Sequence, residues 1–130
     1  MKEPFTGGQS NTQSIIPAPL TYHSEYDKQD YPVKLLISDY PNGNQAILLQ
    51  TESSGVTEDF AVITVNFPDE LLSPGQAYLD TNNMPGIEQF IEQHKLGKPN
   101  GRKKTSGFCT YPLYDFDLPR CMEHGVLENP

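Results

Sequence analysis

Cysteine is scarce in this chain, and a long apolar run is missing altogether. Two cysteines among 130 residues, Cys109 and Cys121, are too few for a disulfide scaffold. In a reducing compartment they read as free thiols. Neither belongs to a Cys-x-x-Cys pair, and His23, His94 and His124 are scattered. A zinc site needs about four such ligands brought together, so no metal and no cofactor is expected. No stretch approaches the roughly 20 apolar residues that cross a bilayer, so no membrane association is expected. The opening "MKEPFTGGQSN" has one lysine followed at once by Glu3 and lacks an apolar core. It does not read as a secretory signal, and the cytoplasm is the expected compartment. Gly-x-Gly-x-x-Gly, P-loop and serine nucleophile-elbow patterns are absent as well, which removes the commonest signs of an enzyme.

Cations are also few: nine Lys and Arg against seventeen Asp and Glu, a net charge of −8. They are unevenly placed. Residues 32–96 carry only Lys34 and Lys95 against nine carboxylates, whereas residues 97–104 carry four cations and no carboxylate. Duplex binding requires several phosphates to be neutralised together, so the acidic body opposes nucleic acid as a whole.

Glycine and proline are the residues present in excess, ten and twelve of them, above a usual combined share of about 12 %. The length suits a single domain. Residues 1–30 are dominated by Gly, Ser, Thr, Asn, Gln and Pro, with "IIPAPL" their only apolar spot, and read as a flexible arm. Order is expected from 31 to 120. Val33, Leu35 and Ile37 alternate as in a half-buried strand, "PNGN" supplies a turn, and "QAILLQTE" follows as a second strand. "FAVITVNF" reads as a third strand, with Ala61, Ile63, Val65 and Phe67 on one side. An irregular crossing, "PDELLSPGQAYLDTNN", leads to "MPGIEQFIEQHKLG", which has helix punctuation. Pro85 suits the first turn, Gly97 the stop, and Ile87, Phe90 and Ile91 form one apolar stripe. "GKPNGRKK" is then a basic loop, and "SGFCTYPLYDFDL" a last strand placed at an edge or bulged by Pro112. Residues 121–130 show no period and read as a tail. The expected fold is α+β, an antiparallel sheet of four to five strands with one short helix packed on one face. Its core would hold Val33, Leu35, Ile37, Ile47, Leu49, Ala61, Ile63, Val65, Ile87, Phe90, Ile91, Tyr114 and Phe116.

Three places invite a functional reading. Arg102, Lys103 and Lys104 beside Phe108 and Tyr111 make the cation-and-aromatic mixture that grips single strands. Three cations are few, however, and a solvated loop balancing nearby carboxylates explains them better. Asp80, Asn82 and Asn83 would offer oxygen ligands to a cation, but the EF-hand pattern is absent, and such residues before a helix ordinarily cap it. Cys109 is the one tempting nucleophile; a strand cysteine without an evident base is more simply inert. Glu88 and Glu92 are like charges one turn apart, a solvated pair.

The pieces "YPNGNQAILL", "AVITVNFP", "LSPGQAYLDTNN", "IEQFIEQHKLGKPNGR" and "SGFCTYPLYDF" together cover about residues 32 to 118. Through them the chain resembles a family of uncharacterised small proteins, a domain of unknown function, encoded on mobile elements and plasmids of gut bacteria. The resemblance implies a bacterial cytoplasmic protein tied to element maintenance, transfer or host defence. It implies no catalytic residue and no cofactor.

The expected function is a non-enzymatic module that binds another protein. Its interaction surface would comprise Asp80, Asn82, Asn83, Arg102, Lys103, Lys104, Phe108 and Tyr111. Two rival readings remain: a nucleic-acid role, through single-strand contact by residues 98–111 or through acidic mimicry of DNA, and a thiol enzyme using Cys109.

Overall fold

The computed structural model describes residues 20–127, and their side chains except those of Ser53, Val126 and Leu127. Most of the expected arm, including Ile15 to Pro19 of the apolar spot, lies outside these residues. Its last part does not: Leu20–His23 form strand β1, followed by a turn whose Ser24 donates its N–H to the carbonyl of Gln29. Leu20 and Tyr22 are buried, with Thr21 and His23 exposed, so four residues are enough for a half-buried strand.

The three strands expected next are present. β2 (Asp30–Asp39) and β3 (Gln45–Ser53) are joined through the Asn-Gly turn, in which Gly43 takes φ +92°. Ser54 and Gly55, both at positive φ, form the turn into β4 (Val56–Val62). Val33, Leu35, Ile37, Ile47 and Leu49 point to one face and are buried.

The expected third strand is two strands. It breaks at Ile63, after which β5 (Thr64–Val65) joins a second sheet. Ile63 serves both: its N–H donates to the Ile47 carbonyl (2.9 Å), and its own carbonyl accepts from the N–H of Asp80 (2.8 Å). Ile63 is fully buried, whereas Val65, expected in the core, is only half-buried. Alternation alone cannot show such a break, because side chains keep their period while the ladder partner changes.

The second sheet runs β5–β6–β8–β7, with β6 Gln76–Leu79, β7 Gly97–Ser106 and β8 Cys109–Phe116, all antiparallel. The basic "loop" is thus β7, an edge strand. It lacks an apolar alternation because most of both its faces meet water. Its register shifts between Pro99 and Lys103, where Gly101 takes φ +102°.

Helix α1 (Ile87–Gln93) buries Ile87, Phe90 and Ile91 as expected. It starts after Gly86, without a side-chain cap, and the left-handed position beyond its end falls on Lys95 (φ +57°). Gly97 instead permits β7 to approach β8: a Cβ there would lie 2.8 Å from the carbonyl oxygen of Asp115.

The expected tail also proves ordered as far as residue 127. α2 (Leu118–Glu123), N-capped by Asp117, leads into β9 (Gly125–Leu127), which pairs parallel with Leu35–Ile37 of β2. β1 pairs with the other end of β2, so both share one of its edges. Three residues are too short to show a period, but the glycine is demanded: a Cβ at Gly125 would meet the Leu35 carbonyl oxygen at 2.1 Å. Mixed α and β structure is correct, and mostly sheet. In place of one sheet with one helix, the described residues form two sheets and two helices around one apolar cluster. The cluster joins Leu35, Ile47 and Leu49 to Leu79 and Tyr114 and to Ile91 of α1.

Candidate functional site

β7 and β8 form a hairpin whose two-residue tip is Gly107 and Phe108, with Ser106 paired to Cys109. Gly107 takes φ +62°, which turns the chain sharply and aims Phe108 outward. Phe108 as a residue is fully exposed, at 108 % of its reference area. An exposed phenylalanine forgoes the roughly 1.5–3 kcal/mol that burial of such a ring brings.

Behind the tip the strand is braced. Arg102 and Lys104 lie on one side of β7, Lys103 on the other, as period 2 requires. Arg102 Nη2 donates to Glu70 Oε2 (2.8 Å) and Lys104 Nζ to Glu70 Oε1 (2.9 Å). The Tyr78 hydroxyl donates to the same carboxylate at 2.9 Å. The Glu70 side chain is only 20 % exposed. The Lys104 hydrogen bond, opposed by burial, holds its carboxyl below the ordinary value of 4.5, with Tyr78 and the charges of Lys104 and Arg102 adding to the effect. Burial and the Glu70 contact push the Tyr78 hydroxyl up. Lys104 Nζ also stands 4.9 Å from the centre of the Phe67 ring, and Phe67 packs edge-on against Tyr78 at 5.1 Å.

Glu70 is positioned from the first sheet. The buried Asn44 side chain, in the β2–β3 turn, donates to the Glu70 carbonyl (2.7 Å) and to Asn66 Oδ1 (3.0 Å). It accepts from the N–H of Leu72 at 2.9 Å. The crossing segment is therefore irregular in backbone but closely held. Sequence reasoning missed Glu70, Phe67, Tyr78 and Asn44 as parts of this site. The one available signal was the charge imbalance, which asks for carboxylates near the basic run without naming them.

The triplet is thus not a set of three free cations in water. Arg102 and Lys104 are paired, and Lys103, opposite Pro112, alone lacks an ion-pair partner among the described residues. The second expected surface lies close by. Asp80 Oδ1 accepts from the N–H of Asn83 (3.2 Å) and Oδ2 from its side-chain amide (2.9 Å). These bonds cap the turn after β6, not helix α1. Asn82 is exposed in that turn. Tyr111, on β8, has its hydroxyl pKa raised first by the Cys109 sulfur, then by burial and by charge that includes the Asp80 carboxylate. Tyr111 faces the same side of the hairpin as Lys104, its partner across the ladder, and its ring lies 6.0 Å from that of Phe67.

Other chemistry is thin. Cys109 is half-buried and Cys121 buried, both as free thiols. Burial pushes the Cys121 thiol up to about 12. A cleft of about 630 Å³ between β1 and α1 is lined by His23, Glu25, Asp30, Phe90 and Gln93 among others. His23 Nδ1 and Asp30 Oδ1 stand 2.7 Å apart there, but the two side chains are 52 % and 67 % exposed, so water competes for both. Among the described residues, no three His, Cys, Asp or Glu side chains gather as a metal-holding group, and no helix is long and apolar enough to cross a membrane.

A family model described as a domain of unknown function (DUF4313) matches residues 34–126, from β2 into β9. No curated protein and no solved structure matches the chain.

Proposed function

Because the chain belongs to the DUF4313 family, whose description names no activity, we propose from its geometry a non-enzymatic module that binds another protein through the β7–β8 hairpin. Phe108 carries the reading. A lone aromatic, fully exposed on a glycine turn, is the form of an anchor that fills a partner's pocket. The hairpin behind it is braced by Glu70, so little order is lost on binding. Lys103 offers the free charge for an acidic rim around that pocket. Tyr111, on the hairpin face opposite Lys103, would add a second flank to the anchor, and the turn that holds Asp80, Asn82 and Asn83 would continue it.

A protein partner is favoured over a nucleic acid because two of the three clustered cations are already engaged by Glu70, which offsets one of their charges. The bacterial cytoplasm and a mobile-element setting belong to the same proposal, supported by the resemblance carried on "DTNN" and "SGFCTYP". The test is affinity capture from host extract, identification of the bound macromolecule, and titration with the purified partner. Phe108→Ser is expected to weaken binding about 30-fold, as loss of a hot spot of about 2 kcal/mol does. Binding within twofold of the parent, or binding to nucleic acid that weakens steeply with salt, removes the reading.

A further inference from the structure

A second surface lies at the opposite sheet. Every sheet with free edges must keep them from pairing with strangers, and three of the edge strands here show how. β7 carries Lys98, Pro99 and Lys103. β5 is two residues long. β1 is covered by α1 and by His94 just after it, whose Nε2 stands 3.2 Å from both the backbone nitrogen and the carbonyl oxygen of Thr21.

β4 has none of these guards. Among the described residues it pairs only with β3; it contains neither lysine nor proline, and exposes every residue except half-buried Ala61. A register shift opposite Leu49 and Gln50 makes Phe60 its extra residue. Val56, Phe60 and Val62 are 57 %, 36 % and 46 % exposed. The Phe60 ring is nonetheless fixed, 5.0 Å from that of Tyr31 and 6.0 Å from that of Tyr22. The edge therefore combines unpaired backbone groups with apolar side chains that are already ordered.

Charge selects the occupant. Glu58 and Asp59 are consecutive, so they point to opposite faces, and Asp59 is the middle residue of the strand. A second copy pairing β4 with β4 about a twofold axis would bring these carboxylates together, an unfavourable cross-strand arrangement. We infer that β4 accepts, as an added antiparallel or parallel strand, an extended segment of another protein with Lys or Arg at its centre and β-branched apolar residues beside them. Backbone ladder bonds would hold the segment, and Glu58 and Asp59 would choose it.

The probe is the blocked peptide Val-Thr-Lys-Arg-Val-Thr-Val. Its controls are the same peptide with two glutamates at the centre and a proline-interrupted peptide of the same charge. Amide hydrogen exchange of the whole chain is followed through the titration. The cationic peptide is expected to slow exchange in β4 at least about tenfold and to bind about tenfold more tightly than either control. In E58K/D59K the preference should reverse to the glutamate peptide. Phe108→Ser should leave both results unchanged, which separates this surface from the hairpin. Equal binding of the proline-interrupted peptide, unaltered β4 exchange, or an unreversed preference overturns the inference. So does β4 protection that rises with protein concentration alone, which would assign the edge to a second copy.

Discussion

The two sheets are held by different kinds of interaction. The first, β1 to β4 with β9, rests on buried aliphatic side chains and offers a bare acidic edge. The second rests on that same core along one face, while its other face is fixed by a polar clasp: Asn44 holding the crossing segment and Glu70 holding Tyr78, Arg102 and Lys104. Apolar burial is nondirectional and shows as a period, whereas a clasp is made by single residues far apart in the chain. Loss of core volume should therefore weaken both sheets together. Loss of a clasp residue should loosen only the hairpin and its crossing segment.

Ile63→Ala tests the shared part of that contrast and should have the largest effect, about 2–5 kcal/mol in denaturant unfolding, because the site is fully buried and joins both ladders. Exchange in β3 and β6 should accelerate together; acceleration in one sheet only would mean that the sheets unfold as separate units. Gly125→Ala comes next, at about 1–3 kcal/mol, since its Cβ cannot fit against the Leu35 carbonyl. Here the loss should be confined to β9 and the facing part of β2. An unchanged midpoint would show that β9 contributes nothing to the first sheet.

Asn44→Ala moves to the clasp. It leaves the Glu70 carbonyl and the Leu72 N–H without their buried partner, at a cost of about 1–3 kcal/mol. Exchange at 66–72 should rise more than exchange in β2 or β3, and a uniform rise would erase the distinction between the sheets.

What was legible in the sequence follows the same division. Val33, Leu35 and Ile37 betray β2 by alternation, and Ile87, Phe90 and Ile91 betray α1, because each element buries one face of a regular period. β7 was hidden because an edge strand with both faces wet has no apolar period to read. β9 was hidden by its length, and the break at Ile63 by the persistence of alternation across it. At the candidate site the exposed residues were visible as types: Phe108, Lys103 and the Asp80 turn. The Arg102 and Lys104 partner was not, since 32 and 34 residues separate them from Glu70 and nothing local marks an acidic residue in a loop as a bridge.

Glu70→Gln gives the smallest effect and the most specific one, because its size depends on pH. A carboxyl held below its ordinary value contributes stability that is fully present above that value, 4.5, and is lost as pH falls through the folded-state pKa. Parent and Glu70→Gln proteins should therefore differ by a constant amount from neutrality down to about pH 5, with hairpin exchange faster in the variant by less than about fivefold, as befits a partly exposed ion pair. Below pH 4.5 the parent's carboxylate takes up its proton, the attraction to Arg102 and Lys104 disappears, and the two proteins should converge. Exchange of β2 and β3 should show no such convergence, since no part of their packing against the core depends on Glu70. A difference that persists into acid would mean that Glu70 acts through shape and hydrogen bonding to Tyr78, not through its charge, and the hairpin would then be braced by the same short-range packing as the first sheet.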